Sequence, residues 1–207
     1  MTTAKSPFHP GKVSWSGDNP GIYLKEREDG PYVTLMVYFR IVLSPHGPGT
    51  AMLLLEAPHE SAPAAGIKNV LLGDNPALTH YLFDEFCRHF GVFRNLPAMA
   101  TPTLMPLDSV SESGDARSAF TVTLRSGSDV FALHWDDLAE PFAAAVSPAQ
   151  SATGHHEMYS CFIEARQASI TVNGRRLAGK PIIRDFMGRP SSSAFLAFSE
   201  TWTREAG

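Results

Sequence analysis

A chain of 207 residues, 43% of them hydrophobic and 18% charged, is long enough to bury a sizeable core in one domain spanning 1–207. A formal charge of -4 and a pI near 6.0, with Lys and Arg scattered rather than grouped with aromatics, exclude the broad basic face that a phosphate backbone needs, so nucleic acid is not an expected partner. The opening MTTAKSPFHPGKVSW breaks any apolar run with Pro, His and Gly. No later run approaches bilayer length, so the expectation is a cytoplasmic protein with no membrane segment.

In chain order the signal is mostly period two. A short strand reads from Gly21 to Glu26. YVTLMVYFRIVLS then sets Val33, Leu35, Val37, Phe39, Ile41 and Leu43 on one face and Tyr32, Thr34, Met36, Tyr38 and Arg40 on the other. HGPGT turns it into the leucine-rich AMLLLEA. EAPHESAPAAG reads as a loop.

GDNPALTHYLFDEFCRHFGVF breaks the pattern. Asn75 stands at an N-cap, Pro76 at the first helical position and Gly91 at the C-terminal end, with Leu78, Leu82, Phe86 and Phe90 at helical spacing. The expectation is one amphipathic helix of about four turns over Pro76 to Phe90. His80 and His89 fall over two turns apart on it, too far for one metal.

Strands follow at Ala119 to Arg125, Val130 to Asp136, His156 to Val172 and Ala194 to Trp202, joined by turns such as RSGSD and VNGRR, with AAVSPAQSATG as a loop. Hairpin connections make the sheet largely antiparallel. Many strands and one helix favour a closed or nearly closed β-barrel, because closure removes exposed edges; an open sandwich is the alternative. Cys87 and Cys161 fall on different elements and are expected to be reduced.

No Walker loop, HExxH, GxSxG or paired CxxC occurs, so no cofactor or metal is implied. Three polar constellations remain: ALHWDD, GHHEMY and IRDFMGR. His134 and Asp136 share a strand face and could serve as a general acid and base, or simply meet solvent. His155 and His156 point to opposite faces if the strand is regular, which disfavours joint metal binding and makes them, with Glu157 and Tyr159, a rim. Arg184, Asp185 and Arg189 could pair with one another. Arg40 lies beside Tyr38, and Glu164 lies on the long strand; a charge inside a barrel needs a partner or a polar ligand group, unless this face is outside.

The segment ASITVNGRRLAGKPIIRDFMGRP, Ala168 to Pro190, followed by SSSAFLAFSETW, resembles the strand, NG turn, strand and Asp-plus-Gly pattern of lipocalin-like bacterial proteins of the carotenoid 1,2-hydratase and AttH type, over about a fifth of the chain. The resemblance implies a calycin-type barrel with an apolar interior and carries over Asp185 alone. Those families generally pair two barrels, and this chain has room for one.

Two function classes follow. One is a binding module whose cavity holds a small apolar or amphipathic molecule, oriented by Arg40, Tyr38, His156, Tyr159 and Glu164. The other is a hydratase, isomerase or cyclase using His134, Asp136 or Asp185 in that cavity. A packed barrel serving protein interaction is the third reading, and a homodimer stays open.

Overall fold

Within the strand Tyr32–Leu43 the stretch Thr34–Phe39 is covered on both faces, and this sets the architecture. The computed structural model describes residues 11–61 and 64–204; the expectations for the stretch up to Pro10 and for part of the EAPHESAPAAG loop lie outside the described residues. The strands are β1 (Lys12–Asp18), β2 (Gly21–Lys25), β3 (Tyr32–Leu43), β4 (Gly49–Leu55), β5 (Asn69–Gly73), β6 (Thr103–Pro106), β7 (Ser109–Gly114) and β8 (Ala119–Ser126). They continue with β9 (Asp129–Leu138), β10 (Phe142–Val146), β11 (His156–Val172), β12 (Arg175–Arg176), β13 (Ile183–Phe186), β14 (Arg189–Ser192) and β15 (Ala194–Arg204).

Thirteen strands form one sheet with the order β6-β5-β4-β3-β1-β15-β11-β9-β8-β7, to which β2, β10 and β12 add; β13 and β14 form a separate hairpin. Every pairing among the described strands is antiparallel except β5 with β6. The chain is therefore mainly β with a large antiparallel-rich sheet. β6 and β7 stand at the two ends of the strand order.

The sheet buries apolar side chains on both faces. Met36, Tyr38, Met52 and Leu54 join Val122, Leu124, Phe131, Leu133, Trp135, Ile163 and Leu196 in one core, so β2–β5 fold over against β8, β9 and β11. Leu35, Val37, Phe39 and Ile41 point the other way, into a second core with Trp15, Phe86, Phe162 and Trp202. The alternation in β3 predicts a strand packed on one side; instead both faces are interior from Thr34 to Phe39, because apolar side chains of other strands cover each of them, while Arg40, Val42 and Leu43 are exposed.

The second core is closed by helix α1 (Pro76–Leu82). Asn75 caps it: its Oδ1 accepts from Leu78 N at 3.2 Å, and its Nδ2 donates to His46 O at 2.9 Å and Pro48 O at 3.1 Å. The expected four-turn α-helix is shorter than the sequence pattern suggests. From Phe83 to Cys87 the backbone winds as a π-helix, with Arg88 N donating to Phe83 O. Phe83, Phe86, Cys87 and Phe90, spaced i, i+3, i+4 and i+7, all face the sheet as one apolar stripe, and the π-turn is a local widening within it. His80 and His89 face away and are exposed.

Turn chemistry places the rest. Asn173 and Gly174 both have positive φ, 52° and 78°, and close β11 on β12 as the mirror-image turn that suits strand twist. Gly17 has no room for a side chain, because a Cβ there would meet Arg40 O at 2.1 Å. Cys87 and Cys161 are unpaired; Cys87 is buried and Cys161 exposed. Among the described residues no helix is long and apolar enough to cross a membrane.

Asn75→Ala is expected to lower stability by about 1–2 kcal/mol in urea denaturation. Asn75→Asp keeps the cap acceptor but loses both donors to the β3–β4 turn, so it should fall between wild type and Ala. A thiol reagent is expected to label Cys161 in the native protein and Cys87 only on unfolding, because burial also pushes the Cys87 thiol up; rapid native labelling at both would contradict the packing.

Candidate functional site

Packing leaves one large gap in the second core. A cleft of about 670 Å³ opens between the segment after the helix, the loop before β11 and the β13–β14 hairpin. Its walls are apolar: Tyr23, Phe90, Phe162, Phe186, Phe195 and Trp202, with Val146 and Met158. The rings are ordered against one another, with Phe162 stacked on Phe186 at 4.7 Å and on Phe195 at 4.6 Å, and Tyr23 edge-on to Phe195 at 5.5 Å. No residue of the Met36/Tyr38/Trp135 core lines it. The space enclosed by the folded-over sheet is filled by side chains, and the cleft lies on the opposite face.

Glu200 is the polar group at its base. The backbone explains why it is there. Along β15, Phe195 and Ala197 face the second core while Leu196 faces the first. Strict alternation would then send residue 200 to the first core. Ser199 intervenes with φ 51°, and the pairing with β11 slips between Tyr159↔Thr201 and Cys161↔Phe198. This bulge shifts the parity, so that Glu200 and Trp202 point into the cleft with Phe195. Asp18 holds the bulge: its Oδ1 accepts from Ser199 N at 3.0 Å, while its Oδ2 receives Arg40 Nε at 2.9 Å and Nη2.

The glutamate is 3% exposed. Asn19 Nδ2 donates to its Oε1 at 2.8 Å and Trp202 Nε1 to the same oxygen at 2.7 Å. Burial pushes the Glu200 carboxyl up to about 7; the hydrogen bonds from Asn19 and Trp202 oppose the shift, and the nearby Asp18 charge adds to it. Tyr23 stands between this acid and Arg184: burial raises its phenol well above the usual range, the Arg184 charge pulls it down and Glu200 pushes it up. The Arg184 guanidinium lies 5.6 Å from the Tyr23 ring centre, 5.2 Å from Phe186 and 5.7 Å from Phe195.

The residues singled out from sequence are distributed differently. Asp185 lines the mouth, exposed, with its Oδ1 accepting from Gly188 N at 3.3 Å. His134 sits on the face of β9 opposite Trp135 and bonds Thr121 Oγ1 at 3.1 Å, and Asp136 is exposed; neither lines the cleft. Tyr38 is buried in the first core and donates to Glu112 Oε1 at 3.0 Å, and Arg40 is engaged by Asp18 and, at 3.6 Å, by Glu112. Glu164 meets Arg189 at 3.7 Å and Ser192 N at 3.4 Å, and Tyr159 Oη donates to Glu157 Oε2 at 3.0 Å.

His156 lies beneath the aromatic layer. Its ring is 5.0 Å from Phe86 and 6.0 Å from Trp202, and its nitrogens bond Thr153 Oγ1 at 2.9 Å and Ser14 Oγ at 3.0 Å. Desolvation first, then the neighbouring His155 and Arg204, push its imidazole down to about 4. His155 does not point away as a regular strand would require. β11 begins only at His156, so the two rings lie 4.3 Å apart. Among the described residues no three His, Cys, Asp or Glu side chains cluster as metal ligands.

Sequence inspection missed Glu200, Arg184 as a cleft residue, Tyr23 and Trp202. A strand of the SSSAFLAFSETW type offers no signal that Ser199 adopts a left-handed backbone, and the charges of IRDFMGR point to pairing among Arg184, Asp185 and Arg189 themselves. Comparisons of the chain with protein-family models, with curated proteins and with solved structures gave no match.

Two buried groups titrate in opposite senses. Glu200 binds its proton more tightly folded than unfolded, so its contribution to stability falls as pH rises from about 4.5 to about 7. His156 binds its proton less tightly folded, so its contribution rises from about 4 to about 6.5. Glu200→Gln keeps an acceptor for Asn19 and Trp202 and removes the first limb. Relative to wild type it is expected to gain on the order of 3 kcal/mol between pH 4.5 and pH 8, leaving a profile that rises through the His156 window. Thermal or urea unfolding across pH checks this, and parallel profiles for the two proteins would refute it.

Proposed function

We propose that the protein binds a small amphipathic molecule in the cleft between the helical segment and the β13–β14 hairpin. The observation that carries the reading is a space of about 670 Å³ walled largely by aromatic rings, with Asn19, Gln150, Ser151, Arg184, Asp185 and Glu200 as its polar lining, the size and chemistry of a small-molecule site. A packed interaction domain would leave no such gap in its core. The calycin-type likeness belongs to the same proposal: a curled antiparallel sheet with a ligand beside it is a variation on that architecture, with the enclosed face packed and the opposite face carrying the site.

A second reading, an enzyme of hydratase, isomerase or cyclase type, draws support from one feature. Glu200 is a buried acid whose affinity for its proton lies near neutrality, as a general acid or base requires. It takes the role that His134, Asp136 and Asp185 held in the sequence reading, since it alone among these acids sits at the base of an apolar cleft. Turnover abolished by Glu200→Gln with binding retained would establish this reading over simple binding.

The binding proposal is tested with the neutral apolar fluorophore N-phenyl-1-naphthylamine, alongside solvent extraction and mass spectrometry of the purified protein. Wild type is expected to enhance its emission saturably, and Ala152→Trp, which fills the cleft wall, to weaken uptake at least tenfold with the melting temperature little changed. No saturable uptake, or uptake unaffected by Ala152→Trp, would remove the proposal.

A further inference from the structure

Arg184 is the sole cation lining the cleft among the described residues, and its surroundings leave it unsatisfied. No acidic side chain of the described residues lies within ion-pair distance of it, whereas Arg40, Arg88, Arg166, Arg175 and Arg189 each have a carboxylate partner. Its Nε is buried and makes no hydrogen bond. Asp185, its sequence neighbour, spends an oxygen on Gly188 N in the hairpin turn instead. What surrounds the guanidinium is aromatic: Tyr23, Phe186 and Phe195 at 5.2–5.7 Å.

A planar cation held by ring faces keeps its edge N–H groups for an oxygen-bearing anion in its plane. A buried N–H without an acceptor is costly, and a bound ligand oxygen removes that cost. The stacked rings of Phe162, Phe186 and Phe195 beside it suit a flat apolar body attached to the anion. A cationic ligand would compete with Arg184 for the same ring faces and meet its charge.

Resting on the cleft as the binding site, we propose that its ligand is an amphipathic carboxylate, preferably aromatic, whose carboxylate is held by Arg184 at the mouth while its apolar body lies on the stacked phenylalanines toward Glu200. Tyr23, whose hydroxyl has no hydrogen-bond partner among the described residues, is the neutral donor next to that carboxylate. Arg184 and Tyr23 thus act as the specificity-determining pair, and Glu200 meets whatever hydrogen-bonding group the far end carries.

The test is displacement of bound N-phenyl-1-naphthylamine at pH 6 by three ligands with one ring system: 2-naphthoic acid, its methyl ester and 2-naphthylmethylamine. At this pH the acid is ionised and Glu200 holds its proton for the most part. The acid is expected to compete at least tenfold better than the ester, and the amine worst. Arg184→Gln should abolish the acid's advantage and Arg184→Lys should keep part of it, both variants still taking up the fluorophore.

Equal competition by acid and ester, or a preference for the amine, would overturn the carboxylate proposal and leave the cleft reading standing. An acid preference that survives in Arg184→Gln would overturn the assignment to Arg184. Failure of wild type to take up the fluorophore would remove the cleft reading and this proposal together. Should Arg184→Gln not fold, by circular dichroism, the wild-type ligand series still decides the ligand class.

Discussion

The contact on which the site depends is the carboxylate of Asp18 with the backbone N–H of Ser199. A residue other than glycine in the left-handed region costs energy and persists only where its surroundings hold it. Asp18 supplies that hold and is itself fixed by Arg40 across the β1–β3 pair. The close approach of those strands at Gly17 makes the reach short. One carboxylate thereby joins β1, β3 and β15, and the local shift in parity it stabilises turns Glu200 and Trp202 toward the cleft.

That shift matters because the sheet has no solvent face to spare along its central strands. β3 from Thr34 to Phe39 and β15 from Ala194 to Ala197 are buried on both sides, so each residue there must choose between two cores, and a polar group facing either must be satisfied there. Tyr38 finds Glu112 on one side, and Glu200 finds Asn19 and Trp202 on the other. Arg184 finds no such partner. Trp15 Nε1, Asn19 Oδ1, His155 Nε2, Ser160 Oγ and Ser191 Oγ are likewise buried without a hydrogen-bond partner among the described residues, but Arg184 alone of these is a guanidinium, held by aromatic rings at the edge of the cleft.

The aromatic layer links the site to the rest of the core. Trp202 bonds Glu200 through Nε1 and packs on Trp15, Phe86 and Phe90, and Phe86 in turn packs on His156. Phe86 and Phe90, four residues apart and so on one helical face, both reach that layer. A carboxyl pushed up by burial and an imidazole pushed down by burial therefore sit on one continuous packed surface, and the shape of that surface bears on both.

Period-two alternation, the Asn75-Pro76 helix start and the Asn173-Gly174 turn are local signals. Residues within a few positions of one another decide them, so the main strands β2, β3, β4, β8, β9, β11 and β15 were legible in the sequence. The short strands β1, β5, β6, β7, β10, β13 and β14 were not: β1 and β6 are defined by partners distant in the chain, and the others, although β7–β8 and β13–β14 are local hairpins, are four to six residues with little alternation. Distance in the chain also hid the site. Whether Arg40 faces a cavity or a partner depends on Asp18, and whether Glu200 faces one core or the other depends on a single left-handed residue held by a side chain 181 positions away. The sequence by itself determined a mainly β chain with one helical segment and an alternation along β3 that reads as a strand packed on one side. Only tertiary packing decided that both faces of the central stretch of β3 are interior, that the gap lies beside the segment after the helix and not within the folded-over sheet, and that Arg184 and Glu200 both line it, since each of these outcomes rests on contacts between residues that alternation and turn chemistry treat as independent.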